Sequence, residues 1–222
     1  MVKALFFKEW IKTRGVFLIS LIAIAAVSAY AVLMMSRLIQ LKGVEHLWLI
    51  MMLKDNSFVD TLKYLPAIAG IALAIAQMAP EMAQKRLKLT LHLPYPQNAL
   101  VAIMLCTGMV ELLVIYALQL AIIGIYDSTI LPVELVTRVL LTMVPWSLAG
   151  FTAYLFTCSI CLEGTWKRRI ILSLIGLAVM FIYYLQPALE AYNGMLALII
   201  IFICLTAILS FGSIIRFKEG RQ

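Results

Sequence analysis

The sequence predicts an all-α integral membrane protein with six transmembrane helices. The chain has 222 residues, of which 64% are hydrophobic, and its mean hydropathy is +1.02. Six apolar runs have roughly the length of about 20 residues that crosses a bilayer. The positive charges are concentrated in the gaps that would lie on one side of the membrane. What remains outside the runs is too short and too divided for a soluble domain, so we expect residues 1–222 to form a single transmembrane domain.

The six runs differ in length, and the differences predict how each helix sits in the bilayer. The second run is near the lower limit for a span, whereas the third and fourth are long enough that they must tilt, kink or extend beyond the hydrocarbon. Pro145, in the middle of the fourth run, predicts a kink there. The predicted spans are 16–36, 64–80, 97–125, 133–162, 170–186 and 195–215.

The distribution of Lys and Arg predicts the orientation of the chain. Of the 18 such residues, 13 lie before the first span, after the second, after the fourth and in the tail, against five on the opposite side. Positively charged loops stay in the cytoplasm, so we expect both termini to be cytoplasmic and the number of spans to be even. The charges form four short clusters, which indicates contact with anionic membrane lipids and not with nucleic acid.

Residues 2–14 predict a helix that lies along the membrane surface before the first span. Lys8 and Lys12 are four residues apart on one stripe, while Phe6 and Trp10 form another. Tryptophan favours the headgroup level and lysine side chains reach to water. The alternative interpretation is a simple basic flank to the first span.

The second span carries small residues at a spacing that favours close helix packing. Gly70 and Ala74 form one pair four residues apart, and Ala72 and Ala76 form another. Small residues let helix backbones approach each other in lipid. We therefore expect this span to be buried against other helices, with Gln77 its one side chain capable of chemistry.

Glu111 is the clearest ionisable residue inside a predicted span, and Gln119 follows two turns later. Ionisable side chains at this depth are costly and are often functional. Glu111 could line a substrate path or carry a proton, or it could be a structural carboxyl group bonded to a neighbouring helix. We favour the structural role because no Lys or Arg of the chain is predicted to lie at a similar depth.

The sequence around the cysteines predicts neither a metal site nor a redox site. Cys158 and Cys161 form a C-x-x-C motif within the fourth predicted span, but no second cysteine pair and no histidine is near them in the sequence. Metal and redox sites with this spacing need such partners. We expect both residues to pack as small hydrophobic side chains.

The gap between the second and third spans reads EMAQKRLKLTLHLPYPQ from Glu81 to Gln97. Leucines recur at alternate positions until Pro94 ends any helix. As a helix, the segment would place Leu87 and Leu91 on one face and Leu89 and Leu93 on another. A short cytoplasmic helix that carries leucines needs a groove on a partner. The alternative is a helix that rests its leucines on the membrane surface.

At this segment the sequence resembles the permease family of type-2 ATP-binding-cassette (ABC) transporters. Members have a glutamate at the end of the second span, then a short helix, then a proline-containing turn into the third span. The pattern maps onto Glu81, the helix from Leu87 to Leu93, and Pro94, and the surface helix, the six spans and the size match as well. Two departures are the absence of a glycine soon after Glu81 and the presence of Gln97 in place of the usual arginine.

The resemblance implies a transport subunit that has no motor of its own. Segment 81–95 would be the coupling helix that docks on ABC ATPase subunits, and two copies of the permease would pair around a path. The resemblance assigns this contact to seven residues: Glu81, Lys85, Arg86, Leu87, Leu91, Leu93 and Pro94. The chain has no G-x-x-x-x-G-K-[ST] motif, so ATP and Mg²⁺ would be bound by the partner ATPase and this chain would need no cofactor. Such a protein would be an exporter in the inner membrane of a bacterium and would not itself be an enzyme.

Two rival functions come from other classes. The chain could be a non-transporting membrane scaffold or assembly factor that recruits a cytoplasmic partner, because a docking helix does not prove a conducting path. A membrane-embedded enzyme is less favoured, since such enzymes gather ionisable residues inside the bilayer and Glu111 alone is clearly central here. Copurification with an ATPase would separate these possibilities.

Overall fold

The computed structural model describes residues 2–43, 58–83, 96–186 and 188–218, and all regular structure in these ranges is helical. The described residues form six long helices and two 3₁₀ helices, the latter at Phe58–Leu62 and Asn193–Met195. The prediction of an all-α fold is therefore confirmed. The long helices are α1 (Val2–Lys42), α2 (Leu65–Ala83), α3 (Gln97–Asp127), α4 (Val133–Leu162), α5 (Trp166–Tyr183) and α6 (Leu196–Lys218).

Five helical stretches of the described residues are long and apolar enough to cross a membrane, which is consistent with a multi-pass membrane protein. They comprise α1, α3, α4, the stretch Val59–Ala83 that includes α2, and the stretch Asn193–Ser213 that includes most of α6. The remaining helix, α5, begins with three basic residues at 167–169. Its apolar part, 170–183, corresponds to about 21 Å of helix, which is shorter than a typical hydrocarbon core. A sixth span thus stays a prediction.

Polar contacts show which helix ends lie together. Near the end of α2, Gln77 contacts residues near the start of α1, near the start of α3 and in the second half of α4, namely Glu9, Met104 and Tyr154. Near the end of α4, the hydroxyl oxygens of Ser159 and Ser210 of α6 are 2.9 Å apart. The start of α1 and the end of α6 therefore lie at the same end of the bundle, as the charge distribution predicts for the two termini.

Helix α4 lies at the centre of the bundle and contacts α2, α3, α5 and α6. It approaches α2 closely at Gly70, where an added Cβ atom would collide with the carbonyl oxygen of Gly150. Gly70 and Ala74 are both buried, which confirms the predicted small-residue contact. Ala72 and Ala76 are only half-buried and lie off the main buried face. Pro80, where the predicted second span ends, lies inside α2.

The structure joins the predicted surface helix and the first span into one helix. Residues 2–14 are the first turns of α1, which continues through Gly15 without interruption. As whole residues, Glu9 and Thr13 are 1% and 0% exposed, whereas Phe7 and Ile11 are exposed on other faces. The physical reason is that Glu9 and Thr13, four residues apart on one face, find polar partners in α2 and α3. A separate surface helix would remove these side chains from those partners.

Candidate functional site

An ionic cluster with buried carboxylates and a partly exposed Lys8 lies at the end of the bundle where α1 begins and α2 ends. We define the ionic cluster as Lys8, Glu9 and Lys12 of α1 with Glu81 of α2. Lys8 and Lys12 are one helical turn apart and so project from the same face of α1. The Lys12 ammonium lies 2.6 Å from Oε2 of Glu9 and 2.9 Å from Oε1 of Glu81. The Lys12 side chain is 11% exposed and those of its two partners are 2% and 0% exposed.

Glu81 receives both lysines on the same carboxylate oxygen. Nζ of Lys8 and Nζ of Lys12 each lie 2.9 Å from Oε1 of Glu81. The second oxygen, Oε2, is buried and has no hydrogen-bond partner among the described residues. An ionised carboxylate that is removed from water must be paired to be tolerated. The two lysines therefore allow the carboxylate of Glu81 to be buried at the last turn of α2.

Gln77 connects the ionic cluster to the centre of the bundle. Its amide nitrogen donates to Oε2 of Glu9 at 3.1 Å and to the Met104 carbonyl at 2.7 Å, and its amide oxygen accepts the Tyr154 hydroxyl at 2.6 Å. Four helices thus meet through one amide, whose donors and acceptor are all used. The Tyr154 ring lies against Gly108, where an added Cβ atom would collide with the phenol group. The side chain of Gln77 therefore joins the four helices by hydrogen bonds.

Glu111 lies beside the ionic cluster and is bonded to α1. The Thr13 hydroxyl donates to Oε1 of Glu111 at 2.6 Å, and Glu111 is 4% exposed. This bond to a neighbouring helix is of the kind that the structural interpretation expects. Oε2 of Glu111, however, is buried and has no partner among the described residues. The bond to Thr13 therefore satisfies only one of the two oxygens of the Glu111 carboxyl group.

Gln119 is not part of this cluster. It lies eight residues beyond Glu111 on the same helix, about 12 Å along the helix axis. The side chain is 1% exposed, and Oε1 has no hydrogen-bond partner within the described ranges. The structure therefore does not bring Glu111 and Gln119 together in a common site.

Most of the predicted coupling segment falls outside the described residues. Glu81 is described, and it is the residue of the segment that contacts α1. The described part of the chain stops at Ala83 and resumes at Pro96. Six residues predicted to couple to an ATPase lie in that interval: Lys85, Arg86, Leu87, Leu91, Leu93 and Pro94.

The loop between α4 and α5 carries a second charged contact at the same end of the bundle. Glu163 is 3% exposed, and NH1 of Arg168 lies 3.4 Å from its Oε1. The Arg169 guanidinium also donates to the Glu163 carbonyl at 2.7 Å. Two of the basic residues predicted to be cytoplasmic therefore hold the start of α5 against the end of α4.

The cysteine motif lies within the hydrophobic core. Cys158 is fully buried in the cluster around Leu155 and Leu162, and Cys161 packs against the same cluster. No group of three or more metal-ligating side chains occurs in the ranges 2–43, 58–83, 96–186 and 188–218. The two cysteines are three residues apart and so lie on the same face of α4, which packs into this hydrophobic cluster.

Sequence reasoning missed most of the ionic cluster. Lys8 and Lys12 were assigned to water, and Glu9 and Thr13 were assigned no partner. The missed signal is Glu9 itself, the one acidic residue among the four basic residues of the first 14. Glu9 lies three residues before Lys12 and four before Thr13, so the three residues share one helix face. This face is polar, whereas the buried face of a helix lying on the membrane would be apolar.

Comparison of the chain with protein-family models, with curated proteins and with solved structures finds no match. The functional interpretation therefore rests on the residues themselves and on the sequence resemblance described above.

Proposed function

We propose that this chain is the membrane-spanning permease subunit of a type-2 ABC transporter, most consistent with an exporter, driven by separate ATPase subunits. The observation that carries the proposal is the position of Glu81. The family resemblance places a glutamate at the end of the second span, and Glu81 is fully buried there between two lysines of α1. This charge contact supports a role for the last turn of α2 as a mechanical link.

The contact supplies a route by which force at segment 81–95 could reach the bundle. The segment begins at Glu81, whose carboxylate is held by Lys8 and Lys12. Glu9, in turn, is bonded to Lys12 and Gln77. A displacement of the segment would therefore act on α1 and α2 together and, through Gln77, on α3 and α4. Rigid-body rocking of packed helices between two arrangements is the motion that such a linkage permits.

Leucine substitutions within the segment test the docking role. Leu87→Asp with Leu91→Asp places two charges on the face proposed to enter an apolar groove, where an unpaired charge costs several kcal/mol. We expect loss of ATPase association, or loss of substrate-stimulated ATP hydrolysis, while the permease still inserts in the membrane. The control is Leu89→Asp, which adds one such charge on the opposite face of the predicted helix and is compared with Leu87→Asp alone.

The two variants separate the proposed function from its rivals. Full association and full stimulation in the Leu87→Asp, Leu91→Asp double variant would remove segment 81–95 from the coupling role. Retention in the Leu89→Asp control together with loss in the double variant would support docking through one face. Association with a cytoplasmic partner that does not hydrolyse ATP would favour the scaffold interpretation.

A further inference from the structure

The contact between Thr13 of α1 and Glu111 of α3 brings one hydrogen to two acceptors. Oγ1 of Thr13 lies 2.6 Å from Oε1 of Glu111 and 3.1 Å from the Glu9 carbonyl oxygen. The Thr13 hydroxyl has a single hydrogen. If Glu111 is ionised, it accepts that hydrogen, and the contact between Thr13 and the Glu9 carbonyl is left as a contact between two acceptors.

A proton on Glu111 satisfies both contacts. The heavy-atom positions fit either direction of the bond between Thr13 and Glu111, because they do not locate the hydrogen. In the neutral form, Oε1 of Glu111 donates to Thr13, whose hydroxyl then donates to the Glu9 carbonyl. Oε2 of Glu111 is buried and has no hydrogen-bond partner within the described ranges. Burying the carbonyl oxygen of a neutral acid costs far less than burying a carboxylate.

The charges around this contact also favour the neutral acid. The lysines of the ionic cluster are engaged with Glu9 and Glu81. Among the described residues no Lys or Arg lies within ion-pair distance of Glu111, whereas the Glu9 carboxylate is close enough to repel a charge there. The described side chains of α6 add one titratable group, the exposed Cys204. The titratable groups that α1, α2 and α4 bring to this end of the bundle are Lys8, Glu9, Lys12, Glu81, Tyr154 and Cys158.

An open cleft between α1 and α3 lies beside the contact and has a volume of about 430 Å³. One wall carries aromatic side chains of α1, among them Phe7 and Trp10, and the other carries residues of α3, among them Val110. Phe7 and Val110 are 65% and 55% exposed, so the cleft opens to the side of the bundle. The two helices are therefore not tightly packed on this side of Glu111.

We propose that Glu111 acts as a proton switch between α1 and α3. It carries a proton while the two helices are packed as they are here, and its ionisation releases the start of α1 from α3. On ionisation the proton passes to water, and the Thr13 hydroxyl turns from the Glu9 carbonyl to the new carboxylate. That carboxylate is repelled by Glu9 and needs water in place of a cation. The switch goes beyond the proposed transport function and does not require it.

Infrared spectroscopy of the full chain detects this proton directly, because a protonated carboxylic acid has a C=O stretching band that a carboxylate lacks. The protein is held in dodecyl maltoside micelles, which contain no carbonyl group. At about pH 7, where an exposed glutamate is ionised, we expect the unmodified chain to show a band component that Glu111→Gln lacks. We expect that component to disappear as the pH is raised.

Two further variants assign the band. Thr13→Val removes the hydroxyl and keeps the shape of the side chain, so the component should remain but change in frequency. Asp127→Asn is the matched control, because Asp127 is another fully buried carboxyl group of α3 whose oxygens have no partner among the described residues. The component that Glu111→Gln lacks should be present and unshifted in Asp127→Asn.

The distance between two spin labels tests the release of α1. The labels are attached to Ile11→Cys and Leu113→Cys in a background without native cysteines, since both positions are exposed, on α1 and α3 respectively. Pulsed electron paramagnetic resonance measures the distance below and above the pH at which the band is lost. We expect it to increase in the chain that has Glu111 and to stay constant in Glu111→Gln, in which the lysines, Tyr154 and Cys158 are unchanged.

Several results would overturn the switch. These are a band region identical in the unmodified chain and Glu111→Gln, a component that persists at every pH at which the chain stays folded, or label distances that respond to pH equally in both chains. If Glu111→Gln does not fold, Thr13→Val decides, because it keeps Glu111 and shifts only the band of the carboxyl group bonded to Thr13. A carboxylic-acid region that Thr13→Val leaves unshifted would then refute the proposal.

Discussion

At the scale of single residues, burial of charge at the end of α2 depends on pairing across two helices. Glu81 is fully buried and the side chain of Lys12 nearly so, with 2.9 Å between them. Breaking a buried pair by removing one partner leaves an uncompensated charge, which is more costly than removing both. Lys12 and Glu81 therefore form a buried ion pair, which requires that α1 and α2 pack as they do here.

Single and double substitutions at this pair should show strong coupling. Lys8 still pairs with Glu81 when Lys12 is replaced, and Glu9 still pairs with Lys12 when Glu81 is replaced. We therefore expect Lys12→Met or Glu81→Leu alone to lower the free energy of unfolding by less than the roughly 3–5 kcal/mol of a fully broken buried pair. The double variant should lower it by less than the sum of the two single effects, because each single variant already breaks the same contact. Unfolding in mixed detergent micelles measures all three variants.

The control for this cycle is the ion pair between Arg138 and Glu190, whose atoms are 3.7 Å apart and whose side chains are each about one-third exposed. Replacing Arg138 with Ala should cost about 1 kcal/mol or less, as exposed pairs do. Simple additivity of Lys12→Met and Glu81→Leu would show that these two residues are not paired in the folded protein.

At the scale of helices, the continuity of α1 determines how the bundle end is built. Residues 2–14 and the first predicted span share one helical axis, so Glu9, Lys12 and Thr13 are carried into contact with α2 and α3. Gly15 has open space where a Cβ atom would be, and a glycine within a helix costs only about 1 kcal/mol relative to alanine. Gly15 alone therefore does not end the helix.

Substitutions of Gly15 test this continuity. Gly15→Ala should leave stability unchanged or raise it by up to about 1 kcal/mol, since nothing obstructs the added methyl group. Gly15→Pro removes a backbone donor within the helix and should cost about 3 kcal/mol or more. Thermal unfolding of purified protein measures both. Tolerance of proline at this position, with stability equal to that of Gly15→Ala, would indicate a break between residues 2–14 and the first span.

At the scale of the whole molecule, the positive charges define one end of the bundle. The starts of α1 and α5 carry basic residues at 3, 8, 12, 14 and 167–169, and contacts place the start of α1 at the same end as the ends of α2, α4 and α6. By the rule that positive loops stay inside, this end should face the cytoplasm. Whether the short helix α5 crosses the membrane determines whether the chain has five or six spans.

Accessibility of single cysteines determines that orientation. In a background without native cysteines, we expect an impermeant maleimide added from outside to label Gly194→Cys but not Lys3→Cys or Lys167→Cys. Residue 194 is exposed at the start of α6 with open space around it. If Gly194→Cys is labelled only after the membrane is permeabilised, residue 194 is cytoplasmic. That result would contradict a sixth span, because α5 would then not cross the membrane.

The sequence predicted the features that depend on composition and local spacing. Apolar length identified the long helices, and the small residues at positions 70 and 74 predicted close packing of α2 on another helix, which the structure shows to be α4. It did not predict the partners of Glu9, Lys12 and Thr13, because those contacts join residues 68 to 98 positions apart. The continuity of α1 through Gly15 was likewise not predicted, since it depends on the tertiary polar contacts of Glu9 and Thr13.

Copurification tests the proposed function, in which this chain would be a permease joined to an ABC ATPase. The unmodified chain is extracted from its native membrane in mild detergent, and the associated proteins are identified by mass spectrometry and assayed for ATP hydrolysis. We expect an ATPase subunit with a phosphate-binding loop, in a ratio of one to each permease chain. Isolation of the chain alone, or with a partner that cannot hydrolyse ATP, under conditions that preserve the complex of a known ABC transporter from the same membrane, would contradict it.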